Sequence, residues 1–234
     1  MSKNTTTVGQ ASKTQSLRAN NFSGTYFQGK VIDIGGGCDP LYDQVEVFDL
    51  KNGDGDAQFI LKYRQPESYD CVHSSHCLEH MKDVPSALEQ WWALVKPGGY
   101  MIIVVPHEDL YEQRVWPSAF NRDHKFTFRL KTKDTWSPVS YDLYDLVDNL
   151  PNSEIIDSEV QDANYDYNLL GRKLGKISRK LHKHLRSNNV LKRKFALFLY
   201  KNFWTKSSKK TGVPIDQTLG GAVAQIQIIA KKST

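Results

Sequence analysis

The sequence predicts an α/β domain built on a mostly parallel sheet with helices on both faces. Three observations carry that expectation. Short apolar runs alternate with stretches of helical period. The first of these runs ends in three consecutive glycines. The chain, at 234 residues, suits one domain with a sizeable core.

Taken in order, residues 1–29 are polar, with Leu17, Phe22, Tyr26 and Phe27 as the only apolar anchors. They read as a flexible start followed by a short helix or lid held by its aromatics. Lys30 to Gly37 is a buried strand running into a tight glycine turn. Val45 to Leu50 alternates and reads as a second strand, closed by Asn52-Gly-Asp-Gly55. Asp56 to Ile60 is a third, short strand and Tyr69 to Ser74 a fourth. Val84, Leu88, Trp91, Trp92 and Val95 recur at helical spacing, so residues 84–95 form an amphipathic helix that Lys96-Pro-Gly-Gly99 ends. Tyr100 to Val105 is a fifth strand, apolar enough to be covered on both faces. Ser137-Pro138 signals another helix, with Val139, Leu143, Leu146, Val147 and Leu150 as its buried stripe. Glu154 to Val160 and Ala222 to Ala230 complete the strands. Two stretches, 107–136 and 166–219, are too long for plain connections and read as substrate-side insertions in a domain spanning 30–234.

Composition excludes several classes. No apolar run spans a bilayer, and the first residues lack the apolar core of a secretory signal. Three cysteines, Cys38, Cys71 and Cys77, fit a reducing cytoplasm. The net charge of +5 hides a segregation: residues 171–210 hold many Lys and Arg and no acid, so the remainder is an acidic body.

The glycine turn has companions in a defined order. Val31-Ile-Asp-Ile-Gly-Gly-Gly37 is followed by Val47-Phe-Asp49 and Gly55-Asp-Ala57. Tyr69-Asp-Cys-Val-His-Ser-Ser-His-Cys-Leu-Glu-His80 and Leu94-Val-Lys-Pro-Gly-Gly-Tyr-Met-Ile-Ile-Val-Val-Pro106 come next. This series resembles the class I S-adenosylmethionine-dependent methyltransferases over residues 30–106. The resemblance implies a Rossmann-like, doubly wound, seven-stranded sheet with an antiparallel last strand. The implied cofactor is S-adenosyl-L-methionine, leaving as S-adenosyl-L-homocysteine. It also implies site residues. Gly35, Gly36 and Gly37 would lie against the methionine portion, with Asp33 beneath the turn. Asp49 would hold the ribose, with Glu46 and Asp54 as alternatives. Asp56 and Ala57 would meet the adenine edge, and Ser74 and Ser75 the region near the sulfonium. Where the family's usual third glycine stands, this chain has Asp39. That acid and the absent Gly-x-x-Gly continuation rank a dinucleotide below a sulfonium donor.

Methyl transfer needs alignment of donor and acceptor, and a hydroxyl acceptor also needs a base. The stretch Leu110 to Phe128 leaves the fifth strand at its carboxyl end. Its histidine, His124, oriented by Asp123, is the candidate base, with His107 shaping the same pocket. His76, Glu108, Trp116, Phe120, Asn121 and Lys125 are the candidate acceptor-binding residues. Cys71, His73, His76, Cys77 and His80 cluster in sequence but match no zinc spacing, so no metal is expected; His80 reads as packing. Asp49 to Asp56 lacks the closing Glu of a calcium loop and reads as a turn.

In the basic stretch, Leu170, Leu174, Ile177, Leu181 and Leu185 mark a cationic amphipathic helix, and Leu191, Phe195, Phe198, Leu199 and Trp204 a second apolar set. Helices capping the sheet, contact with an anionic membrane through residues 171–204, and a polyanionic acceptor are the competing readings. The expected enzyme is a cytoplasmic methyltransferase, with contact to the inner membrane face through that stretch. It acts on a small or carrier-linked glycan acceptor, such as the hydroxyl of a sugar or of a cell-envelope precursor. An RNA methyltransferase using residues 171–210 and a non-catalytic binding or scaffold module are the alternatives.

Overall fold

The computed structural model describes residues 9–170, 184, 189–199 and 214–234. Apart from Leu170 and His184, the predicted cationic helix lies outside the described residues, as does Trp204. The described strands are β1 (Val31–Ile34), β2 (Glu46–Phe48), β3 (Tyr69–Ser75), β4 (Val95–Pro106), β5 (Thr127–Arg129), β6 (Ser140–Asp142), β7 (Ser153–Gln161) and β8 (Gln225–Lys232). The helices are α1 (Gln10–Leu17), α2 (Phe22–Tyr26), α3 (Val84–Ala93), α4 (Leu143–Asp148) and α5 (Val190–Leu199).

Six strands form one sheet in the order β2-β1-β3-β4-β8-β7. The first four run parallel, and β8 is antiparallel to both β4 and β7. Strands β5 and β6 pair separately and in parallel. Strand order reverses between β1 and β3, so a crevice opens at their carboxyl ends, where such sheets bind ligands.

The alternation along each central strand sorts side chains onto two faces. Ile32, Ile34, Val72, Met101, Ile103 and Ile228 face the large core, which Leu88, Trp91 and Trp92 of α3 and Leu143 and Val147 of α4 complete. Val31, Cys71, Ile102 and Ile229 face the other way, beneath Phe27 and Leu41, with Phe22 and Tyr26 of α2 packed alongside. The N-terminal aromatics thus cover the second face. The segment ahead of them is tied down as well: Thr14 accepts from Gln225 at 2.7 Å, and Arg18 donates to Gln227 at 3.0 Å.

Three expectations need correction. Residues Ala57–Lys62 form a 3₁₀ turn where a third strand is expected, and the main sheet has six strands. The Asp56 side chain accepts from Gln58 N at 3.0 Å, a capping geometry that a strand does not supply. Helix α3 stops at Ala93, and Val95 already pairs with Tyr69 as the start of β4. Gly98, at φ 79°, carries the chain through the irregularity before regular pairing resumes at Tyr100. The helix signalled at Ser137-Pro138 starts only at Leu143, because Ser140–Asp142 pairs with β5 and Asp142 then caps α4 by accepting from Tyr144 N.

Helix α3 and the 3₁₀ turn are bolted together. Trp91 Nε1 donates to Ala57 O at 2.9 Å, and Gln90 donates to Gln58 O at 2.8 Å. The buried Gln58 side chain accepts from the amides of Lys82 and Asp83 at 2.9 and 3.0 Å. Trp91→Phe should cost about 2–3 kcal/mol in urea unfolding, since it shrinks a fully buried ring and leaves a carbonyl without its donor.

Candidate active site

At the carboxyl end of β1 the chain turns through Gly35 (φ 82°) and Gly37 (φ 48°), conformations that side chains other than glycine rarely adopt. A Cβ on Gly35 would lie 2.6 Å from Cys77 Cβ, and one on Gly36 would lie 2.4 Å from Asp33 Oδ2. The turn is therefore compressed between the loop after β3 and the strand that launches it.

Asp33, almost fully buried, holds the turn from below. Its Oδ2 accepts from Leu41 N at 2.8 Å and its Oδ1 from His73 Nδ1 at 2.7 Å. Behind His73, an Arg18 guanidinium nitrogen lies 3.2 Å from Nε2. A guanidinium only donates, so Nε2 accepts and the His73 proton sits on Nδ1. Burial holds the His73 pKa below the ordinary 6.5, and Arg18 adds to that while Asp33 opposes it. Asp39, standing where a third glycine is usual, caps α1 from outside by accepting from Ser12 N at 3.1 Å and from the Ser12 hydroxyl. Negative charge at a helix N-terminus is favourable.

A cavity of about 710 Å³ opens in front of the turn. One end is lined by Gly35, Asp49, Asp56 and Ala57, with Phe48, Leu50 and Met81 as apolar walls. Of the three acids weighed for the ribose, Glu46 is spent on Tyr69 and Arg64, both within 2.8 Å. Asp54 accepts from Asp49 N. Asp49 itself lines the cavity. Its Oδ1 accepts from Lys51 N, and its Oδ2 lies 3.2 Å from where a Gly37 Cβ would stand. Ser74 donates to Ile34 O at 3.0 Å and so ties β3 to β1, whereas the Ser75 hydroxyl is buried without a partner.

The rest of the lining is polar, with His76, His80, Lys82, Arg122, Asp123 and Lys125, and His80 with Lys125 marks its polar end. Lys125 donates to His80 O. Behind this wall lies Glu79, fully buried, with neither carboxylate oxygen hydrogen-bonded. Three histidine nitrogens face it: His76 Nδ1 at 3.6 Å, His124 Nε2 at 3.7 Å and His80 Nε2 at 3.9 Å. Burial alone would raise the Glu79 pKa, but these histidines outweigh it and the carboxyl sits below its ordinary value.

Sequence reasoning placed several residues differently. His124 is oriented by the buried Glu112, whose Oε1 lies 2.7 Å from Nδ1, and not by Asp123. Asp123 contributes its backbone carbonyl to His80 Nδ1 at 3.0 Å. His124 stands behind His80, with ring centroids 5.1 Å apart, and is absent from the cavity lining. Burial works against its protonation, yet the bond to Glu112 and the charges of Glu79 and Glu112 hold its pKa above the ordinary value. His107 turns its Nδ1 back onto Asp109 N and lines a separate hollow with Leu110 and Tyr167. Glu108 is a buried loop clamp, accepting from Thr127, Thr135 and Ser140. Phe120 packs edge-on against Tyr111, Asn121 accepts from Asp123 N, and Trp116 precedes Pro117 across a cis bond; none of the three lines the cavity. Glu112, Lys82 and Arg122 went unnoticed. Only the run Leu78-Glu79-His80 carried a hint of Glu79.

A family model described as "Methyltransferase domain" matches residues 12–136, more than half of the chain. The chain belongs to the methyltransferase-domain family. Its donor is S-adenosylmethionine, and the compressed glycine turn and Asp49 fit that group. No curated protein matches the methyltransferase. Among solved structures it is similar to an S-adenosylmethionine-dependent methyltransferase from Archaeoglobus fulgidus, at 17% identity over 88% of each chain and a TM-score of 0.45. It is also similar to phosphoethanolamine N-methyltransferase 2 from Haemonchus contortus, at 16% identity over 87% of this chain and 48% of that one, with a TM-score of 0.44.

Two outcomes follow for this methyltransferase. Gly35→Ala should weaken S-adenosylhomocysteine binding at least about tenfold by calorimetry, because the new methyl collides with Cys77 and the positive φ adds about 1–2 kcal/mol of strain. The second concerns pH. Unfolded His73 takes a proton near pH 6.5 and native His73 only at lower pH, so its contribution to stability falls as pH drops below 6.5. The slope is at most about 1.4 kcal/mol per pH unit. Plotted against pH, the urea-unfolding stability of His73→Asn should be correspondingly flatter just below pH 6.5 than that of the wild type.

Proposed function

We propose that the methyltransferase places a methyl group on a hydroxyl oxygen of a small or carrier-linked acceptor, a sugar or similarly hydroxylated metabolite bearing negative charge. The observation that carries this reading is the composition of the cavity's polar end. His76, His80, Lys82, Arg122 and Lys125 wall it, with Asp123 as the one acid among them. Such a lining suits hydroxyls and an anionic group.

The bound donor supplies an activated methyl carbon, and transfer makes a carbon–oxygen bond as the carbon–sulfur bond breaks. The chain's own residues supply the rest. Gly35 and Gly37 let the backbone approach the donor closely, and Asp49 offers an acceptor for ribose hydroxyls. The exposed Lys82 ammonium, without an ion-pair partner among the described residues, is available to an anionic acceptor. The hydroxyl's proton must leave, and the histidine–glutamate cluster behind His80 is the buried group of bases at that end.

Helix α5 supports delivery of the acceptor on a membrane carrier. It exposes Val190, Leu191 and Phe195 beside Lys192 and Lys194, an apolar and cationic surface suited to anionic lipid. Of the rest of residues 171–204, all but His184 and Asn189 lie outside the described residues. Among the described residues no helix is long and apolar enough to cross a membrane.

Calorimetry with S-adenosylhomocysteine tests the donor site: wild type should bind and Asp49→Ala should bind about tenfold or more weakly. A silent wild-type titration ends the enzyme reading and favours a scaffold. With labelled donor and a panel of phosphorylated sugars, Lys82→Ala should raise the acceptor KM several-fold with little change in kcat. Transfer to amines alone, or salt-sensitive retention of RNA in place of sugars, would overturn the acceptor assignment. Sedimentation with anionic vesicles should retain the protein at low salt and release it at high salt; no retention removes the membrane carrier.

A further inference from the structure

The polar end of the cavity contains an unresolved electrostatic problem. Glu79 is fully buried, yet neither of its oxygens accepts a hydrogen bond. Leaving buried carboxylate oxygens unpaired is costly, and native structures rarely do so without a reason.

The surrounding histidines sharpen the point, because each has its outer nitrogen already committed. His124 Nδ1 lies 2.7 Å from Glu112 Oε1, a carboxylate that can only accept, so this nitrogen carries the proton. His80 Nδ1 donates to the Asp123 backbone carbonyl at 3.0 Å. His76 Nε2 donates to Gln225 Oε1 at 3.0 Å, and that amide is oriented by its own donation to Thr14 and Gln161. With neutral rings, every inner nitrogen presents a lone pair toward Glu79. Lone pairs therefore converge on one buried spot with no donor among them. Something positive belongs there.

We propose that Glu79, His80 and His124 bind one divalent transition-metal ion at the floor of the cavity's acceptor end. Their ligand atoms all lie within 4.8 Å of one another. Two ligands at about 2.1 Å from a tetrahedral ion stand about 3.4 Å apart, so distances of 3.7 and 3.9 Å from Glu79 Oε1 require only a small contraction. Two histidines and one carboxylate form a donor set that suits zinc and its first-row neighbours, and such sites keep positions open for exogenous oxygen. The outer bonds match the usual support of ligating histidines, in which a carboxylate or carbonyl fixes the ring and its tautomer. His80 lines the cavity while Glu79 and His124 sit behind it, so the open positions face the acceptor. The inference rests on the acceptor reading above for its role, namely holding the acceptor hydroxyl and easing loss of its proton. It does not rest on that reading for the site itself. Zinc spacing missed the site because Cys71 and His73 project to the opposite face of the sheet, while His124 arrives from the insertion after β4.

The full-length chain, stripped with chelator, should bind one equivalent of Co²⁺ with visible d–d absorption, and Zn²⁺ should displace it. Glu79→Gln and His80→Ala should each weaken Co²⁺ binding at least about 100-fold, and Glu112→Gln about tenfold. S-adenosylhomocysteine affinity of Glu79→Gln, measured in parallel, reports an intact donor site. Absence of stoichiometric Co²⁺ binding in wild type would overturn the proposal and assign the positive charge to a protonated His124. Equal uptake by wild type and both ligand variants would overturn it too. If wild type binds Co²⁺ but no S-adenosylhomocysteine, the metal site stands and the donor reading fails. The reverse result leaves the donor reading intact and ends the metal site.

Discussion

A single buried carboxylate organises the glycine turn at the end of β1. Asp33 is the third residue of β1, so its side chain projects onto the face opposite the main core, into an environment with little water. It is tolerable there because both oxygens are used, one by His73 and the other by the amide of Leu41. Those bonds fix where the glycine turn begins and where it returns. Gly36 closes over the same carboxylate so tightly that no side chain fits. The shape of the crevice beside the turn thus depends on keeping a buried carboxylate hydrogen-bonded beneath it.

That dependence extends outward through His73 to Arg18, and so to the segment preceding the sheet. Arg18 touches His73 and Gln227 and stacks on Phe22 and Phe27, which joins the N-terminal helices to β3 and β8. Asp39 performs a parallel function at the turn's exit. In place of flexibility from a third glycine, the chain has an acid that caps α1. The turn and the N-terminal segment therefore hold each other. On the other side of the crevice, the insertion after β4 supplies Arg122, Asp123 and Lys125 to the wall and His124 and Glu112 behind it. The two sides of the cavity are built from different stretches of chain and meet around His76, His80 and Glu79.

Much of this was legible in order and spacing. The apolar runs at Val31, Tyr69 and Tyr100 are central strands because each is covered on both faces, and such runs need few other cues. Helix α3 announced itself through Val84, Leu88, Trp91 and Trp92. The misreadings have a common physical origin. Asp56 to Ile60 has the composition of an edge strand, and only the Asp56 cap and the Trp91 bond to Ala57 turn it into 3₁₀ geometry. In the insertion, aromatic and polar residues within ten positions suggested a pocket wall. Several instead satisfy one another, as Glu108 does with three hydroxyls, because a long loop must pair its own buried polar groups.

The linear sequence on its own determined the architecture and the glycine turn at the end of β1. Those features are local: a strand running into glycines, an acid at the end of the next strand, a helix with one apolar stripe. Which histidines work together was decided only in three dimensions. His76 and His80 follow β3, His124 and Glu112 follow β4, and Glu79 becomes a buried focus for them only when both loops close over it. Pairings between charges distant along the chain leave no period or motif behind, because Coulomb and hydrogen-bond energies depend on separation in space and not on separation in sequence.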